Sequence, residues 1–132
     1  MNKFTKGILS LGIALSILAG ATGVTAFAAS KTDKKSGSIG SNYTSGSSTI
    51  DDRTASAYTS FGNNGTVSVN STYDYVRLSD VKGFTSTRSN GHYHSTSVSF
   101  SVGENYRSVK IKSDHYVAGS GQTWTAKTSV IR

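Results

Sequence analysis

The sequence predicts an all-β fold, a small antiparallel β-sandwich of two sheets, with a small closed barrel as the runner-up. Three observations carry this. Beyond residue 28, Leu78 is the sole leucine, proline is absent, and Val, Ile, Tyr, Thr and above all Ser dominate. β-Branched and aromatic side chains suit a pleated, half-buried surface. No stretch beyond residue 28 repeats apolar residues at the helical spacing. Residues 92–102 alternate strictly: His92, His94, Thr96, Val98, Phe100 and Val102 against Tyr93, Ser95, Ser97, Ser99 and Ser101. Alternation of that kind marks a strand with one wet face.

Residues 1–28 read as a cleavable export signal. Lys3 and Lys6 open it, residues 7–19 carry no charge, and Ala26-Phe27-Ala28 puts small residues where signal peptidase cuts. The apolar run falls short of the ~20 residues of a spanning helix, so no transmembrane anchor is expected. The protein is then secreted (extracellular). Loss of Lys3 and Lys6 leaves 12 basic against 7 acidic residues, a net charge of +5. Such a charge favours anionic partners, such as wall polymers or phospholipid headgroups; outside the cell, nucleic acid is not expected as a partner. There are no cysteines, which excludes disulfide staples, thiol catalysis and Cys-type zinc sites. Export without cysteine suits a Gram-positive source.

Residues 29–53 read as a flexible leader. Lys31, Lys34 and Lys35 are followed by Ser, Gly and Thr with isolated Tyr43 and Ile50. That apolar content does not offset the entropy of ordering. The alternative is a short strand at 42–44. The sandwich is expected over 54–132. Residues 54–61 form a first strand, and Gly62-Asn63-Asn64-Gly65 a turn. Strands are expected at 66–70, with Val67 and Val69 on one face, and at 73–79, with Val76 and Leu78 opposed to Tyr73 and Tyr75. A short strand at 84–88 leads into Asn90-Gly91, a hairpin signal. The strand at 92–102 follows, then 106–117 and 123–131, joined by turns at Gly103-Glu104-Asn105 and Gly119-Ser120-Gly121-Gln122. Matching the apolar faces pairs Phe100 with Val109, Val98 with Ile111, Val117 with Trp124, and Ile111 with Val130. Trp124 is the largest contributor to that face.

His92 and His94 point the same way, and the expected register sets His115 opposite His94. These three imidazoles are the one candidate metal site, against the reading of half-buried strand histidines with hydrogen-bonded rings. No enzymatic activity and no cofactor are expected. The 22 serines beyond residue 28 make chance Ser/His/Asp combinations inevitable, and neither a nucleophile elbow nor a phosphate-cradling loop leads into a helix. The outward face of 106–116 is more informative. It presents Tyr106, Lys110, Lys112, Asp114 and Tyr116, with Lys127 on the next strand. Lysines beside tyrosine rings bind phosphate-bearing or sugar ligands through charge and stacking. The alternative is a solvated face whose lysines deter edge pairing.

His92-Tyr93-His94-Ser95-Thr96-Ser97-Val98, the late Ala118-Gly119, and Trp124-Thr125-Ala126-Lys127-Thr128-Ser129-Val130 resemble the lactococcin-972-type bacteriocins. The resemblance covers about 40 residues of the C-terminal part. It implies an exported β-sandwich that binds the wall precursor lipid II and blocks septum assembly, accompanied by immunity and export proteins. By this resemblance Trp124, Lys127, His92 and His94 are positions to test. The expected function is therefore a secreted bacteriocin-like antibacterial protein binding an anionic cell-envelope component. Its ligand face would comprise Tyr106, Lys110, Lys112, Tyr116, Trp124 and Lys127. The alternative is a non-catalytic cell-surface or wall-polymer binding module of the producing cell.

Overall fold

The computed structural model describes residues 29–132; the expected signal segment 1–28 lies outside them. Eight strands follow in chain order: β1 (Lys31–Ile39), β2 (Asn42–Ile50), β3 (Thr54–Phe61), β4 (Thr66–Arg77), β5 (Lys82–Tyr93), β6 (Ser95–Ser101), β7 (Tyr106–Gly119) and β8 (Gln122–Ile131). They build two antiparallel four-stranded sheets, ordered β1-β2-β3-β6 and β5-β4-β7-β8. The fold is the expected β-sandwich. The barrel alternative does not form, because the two sheets remain separate ladders. Among the described residues no helix is long and apolar enough to cross a membrane.

The expected leader is corrected. Residues 31–50 are a β1–β2 hairpin, paired from Lys31 with Ile50 to Ile39 with Asn42. Its inward positions include Thr44, Ser48 and Ile50, all fully buried. Hydroxyl side chains can line a sandwich interior when they find partners, and the opposite sheet supplies those of Ser48. Ser48 Oγ donates to Ser113 Oγ at 2.7 Å and lies 2.5 Å from Thr128 Oγ1. A reading tuned to apolar alternation misses such a strand.

The strand expected at 92–102 is two strands in two sheets. His94 has a φ of +70°, and there the chain leaves one sheet for the other. Its N–H donates to Gly65 O (3.0 Å) and its C=O accepts from Phe61 N–H (2.8 Å), so this one residue bonds to the chain on both sides of the crossover. The pairings of Phe100 with Val109 and Val98 with Ile111 are therefore replaced by Phe100 with Ala55 and Val98 with Ala57. Asn90-Gly91 makes no turn either, because β5 runs on to pair with the whole of β4. The pairings of Val117 with Trp124 and Ile111 with Val130 are as expected.

Two apolar clusters fill the space between the sheets. One gathers Ile50, Val69, Tyr73, Phe100 and Ile111. The other holds Ile39, Phe61, Val67 and Val117, with half-buried Trp124 against it. Between them lies a hydrogen-bonded polar layer. His115, 1% exposed, reaches Thr59 Oγ1 through Nδ1 (2.7 Å) and Thr128 Oγ1 through Nε2 (2.8 Å). Thr128 continues to Ser48, Ser48 to Ser113, and Ser113 to Ser71 at 2.7 Å. Each hydroxyl has one proton to give. With Ser48 donating to Ser113, Thr128 donates to Ser48, His115 Nε2–H donates to Thr128, and Nδ1 accepts from Thr59. Burial pushes the imidazole pKa down to about 4, so the ring is neutral and its Nδ1 is free to accept.

The flank between β1 and β8 is closed by side chains. Ser129 N–H donates to Asp33 Oδ2 (3.0 Å), and Lys35 Nζ donates to Lys127 O (3.4 Å). On the opposite flank Asn90 Nδ2 donates to Ser97 O (3.2 Å), spanning β5 and β6.

Candidate functional site

The outer face of the β5-β4-β7-β8 sheet collects four of the six expected ligand residues, Lys110, Lys112, Tyr116 and Lys127. Along β7 the inward positions Ile111, Ser113, His115 and Val117 are buried. Strand pleating therefore sends Lys110, Lys112, Asp114 and Tyr116 to the other side. The cross-strand registers complete the surface row by row. Lys110 stands between Asp74 and Ile131, and Lys112 between Thr72 and Ser129. Asp114 stands between Asn70 and Lys127, and Tyr116 between Ser68 and Thr125. One strand further, on β5, Thr85, Thr87, Ser89 and Gly91 extend these rows.

Charge on this face is mixed. Lys127 Nζ lies 2.6 Å from Asp114 Oδ1, with the lysine side chain 85% exposed. An ion pair this exposed contributes little stability and leaves the ammonium open to exchange partners. Asp74, which accepts from Thr85 Oγ1 at 2.8 Å, adds a second carboxylate beside Lys110. Three lysines thus meet two aspartates, and the face is only mildly cationic.

Tyr106 is not on this face. The β4–β7 register slips by one residue between Asp74 and Tyr75, so Asp74 pairs with Lys110 but Tyr75 with Ser108. This β-bulge inverts the faces beyond it. Tyr106 joins an aromatic group at the end of the sandwich, edge-on to Tyr75 (5.7 Å) and Phe84 (6.0 Å). The same slip leaves Tyr73 and Val76 both buried, against the expectation that they face opposite ways. Arg77 lies over Phe84 at 5.2 Å and pairs with Asp80 at 2.8 Å. That hydrogen-bonded pairing holds the Asp80 carboxyl down to about 2.

Trp124 is also absent from the outer face. It points between the sheets and lies on Gly37, where a Cβ would come within 2.9 Å of the indole Cδ1. Its role is packing. The three histidines do not converge. His115 pairs in register with Val69 and Ala126, His92 with Val67, and His94 sits at the crossover. The crossover breaks the single strand on which the metal expectation depended. Among the described residues no group of three or more His, Cys, Asp or Glu could hold a metal ion.

Sequence reasoning missed the surroundings of Tyr116. A trough of about 620 Å³ runs past Ser68, Asn70, Ser89, Gly91, Asp114 and Tyr116. A recess of about 430 Å³ adjoins it, bounded by Thr66, Ser68, Gly91, His92, Tyr93 and Tyr116. The exposed rings are Tyr116 (41%) and Tyr93 (68%). Ser68 and Asn70 alternate with Val67 and Val69, and that alternation was the available signal. It becomes informative only with β4 placed between β5 and β7. Comparison with protein-family models, curated proteins and solved structures finds no match to this chain.

Proposed function

We propose that this chain is a secreted, non-catalytic binding protein of bacteriocin type, which docks on a bacterial cell-envelope component through the outer face of the β5-β4-β7-β8 sheet. The observation that carries this reading is the gathering of Lys110, Lys112, Lys127, Asp114 and Tyr116 on one side of one sheet. Three ammonium groups, two carboxylates and an exposed ring suit a ligand that mixes hydroxyls with anionic groups, as wall polymers and their lipid-linked precursors do. A pure polyanion would meet Asp74 and Asp114 as well.

The test pairs growth inhibition of Gram-positive indicator cells with binding of the purified protein to vesicles carrying lipid II, against vesicles without it. Inhibition together with lipid-II-dependent binding is expected. Neither effect at micromolar protein overturns the antibacterial reading. The same face would equally serve a wall-polymer module of the producing cell, and a high-salt wash of producer cells separates the two. Release from the cells favours the module, and protein found only in the medium favours the bacteriocin.

A further inference from the structure

Gly91 has no structural reason to be glycine. It lies mid-strand in β5, and its φ is outside the left-handed region that favours glycine. A Cβ there would meet only ordinary contacts, at 3.5 Å from Val67 O and 3.7 Å from Ser68 Cβ. Gly37 and Gly46 differ, since a Cβ at either would collide with the Trp124 or His115 ring. What the missing side chain at Gly91 does provide is space. Gly91, Ser68 and Tyr116 occupy one row across three strands. Two small residues thus form a floor beside the Tyr116 ring. That ring stacks on no other ring or cation among the described residues.

The polar groups around this floor are of mixed character. Ser89 Oγ donates to Asn70 Oδ1 at 2.7 Å, which orients the Asn70 amide and leaves its Nδ2 hydrogens for a ligand. Asp114, 59% exposed, supplies carboxylate acceptors. Tyr93 rises at the far side of the adjoining recess, two strands from Tyr116, or roughly 10 Å in backbone spacing. The flank between β5 and β6 also holds recesses, of about 330 and 360 Å³. They are smaller, both are lined by Arg88 and Ser99, and their one ring, Phe100, is buried.

We propose that the trough beside Tyr116 is a saccharide site that takes consecutive pyranose rings, one lying on Tyr116 and the next reaching toward Tyr93. A pyranose has an apolar C–H face that lies on an aromatic ring. Its rim of hydroxyls needs both donors and acceptors, which the Asn70 amide, Asp114 and Ser89 provide. The recess volumes fall within the range of small-ligand sites, roughly 300–1,000 Å³. The inference rests on the reading of this sheet face as ligand-binding. It adds that recognition of the uncharged sugar needs none of the lysines.

The experiment titrates the full purified protein with two neutral tetrasaccharides, tetra-N-acetylchitotetraose and cellotetraose, while amide NMR shifts are followed. Shifts confined to the lining of the trough and its adjoining recess, from Tyr116 and Asn70 to Tyr93, are expected with at least one of them, unchanged between 50 and 300 mM salt. The Cβ of Gly91→Leu meets only ordinary contacts, and its side chain would occupy the trough and should weaken binding tenfold or more. Tyr116→Ala should do the same, and it serves as the second variant if Gly91→Leu fails to fold. Tyr58→Ala, at an exposed ring on the other sheet, should bind the sugar as wild type does. Absence of shifts with both sugars, or wild-type affinity in a folded Gly91→Leu or Tyr116→Ala variant, overturns the saccharide site. Loss of lipid-II vesicle binding with sugar binding retained would instead count against the antibacterial reading alone.

Discussion

His115 and Gly46 face each other across the sandwich, and the imidazole fills the space that a side chain at position 46 would take. A Cβ on Gly46 would lie 2.7 Å from both Cδ2 and Nδ1 of the ring. The ring cannot retreat, because Thr59 and Thr128 hold its two nitrogens. Gly46→Ala must therefore separate the sheets or break that chain of hydroxyls. The expected loss is about 2–3 kcal/mol, as for overpacked cores, read as a lower urea midpoint. An unchanged midpoint would mean that this contact is not fixed.

The same imidazole makes stability depend on pH. Its folded pKa is depressed by burial to about 4, from 6.5. Between those values the unfolded chain binds a proton that the folded chain refuses. Stability is then complete above pH 6.5, declines as pH falls toward 4, and loses nothing more from this group below that. A shift of this size corresponds to about 3 kcal/mol. Urea midpoints at pH 7.5, 5.5 and 4.0 should fall in that order. His115→Gln should flatten the decline, because an amide keeps a donor and an acceptor without titrating. A wild-type midpoint independent of pH over this range would refute the neutral, buried assignment.

Trp124 should report on the β1 hairpin. Its ring packs beside Ile39 and Phe61 and lies on Gly37, so β1 supplies part of its cover. Its fluorescence should be blue-shifted from that of free tryptophan and should redden in Gly37→Val, which pushes β1 away. Trp124→Ala should cost about 2 kcal/mol, below the value for a fully enclosed indole because the ring is only half-buried. Emission like that of free tryptophan in the native protein would contradict the docking of β1 against β8.

The parts of the fold legible in the sequence were those whose inward residues are apolar. Ile111, Val117, Trp124 and Val130 alternate with polar neighbours, and their pairing across β7 and β8 follows from matching faces. β1 and β2 were illegible for the opposite reason. Thr44, Gly46 and Ser48 point inward, and the hydroxyls that satisfy Ser48 come from residues 65 and 80 positions away. His94 was hidden because the alternation keeps its phase through the crossover, although the residues on either side belong to different sheets. Of the ligand face, Lys110, Lys112, Tyr116 and Lys127 were legible from pleating alone. Tyr106 was lost to a bulge with no marker in composition. Gly91 was read as a turn residue, and its role as open space appears only with Ser68 and Tyr116 beside it.

Asp33 guards an edge. Its carboxylate accepts the Ser129 N–H of β8 at 3.0 Å, and that bond, ahead of nearby Lys35, holds its pKa below the usual carboxylate value. The bond occupies an amide that an edge strand would otherwise offer to another chain. Asp33→Ala removes the acceptor and also the ion pair with Lys35. About 1 kcal/mol of stability should go with the hydrogen bond, and little with the exposed pair. The larger effect should be on association, seen as concentration-dependent dimers or higher species in sedimentation at neutral pH. Asp33→Asn, whose amide oxygen still accepts, should remain monomeric under the same conditions. The carboxylate's contribution is present above its unfolded pKa near 3.8 and is lost as pH falls through the lowered folded value. The protonated acid keeps a carbonyl oxygen that accepts the same N–H, as the asparagine does, so acid should weaken the contact without the association expected of the alanine variant. A strictly monomeric Asp33→Ala protein would show that β8 is protected by something other than this carboxylate.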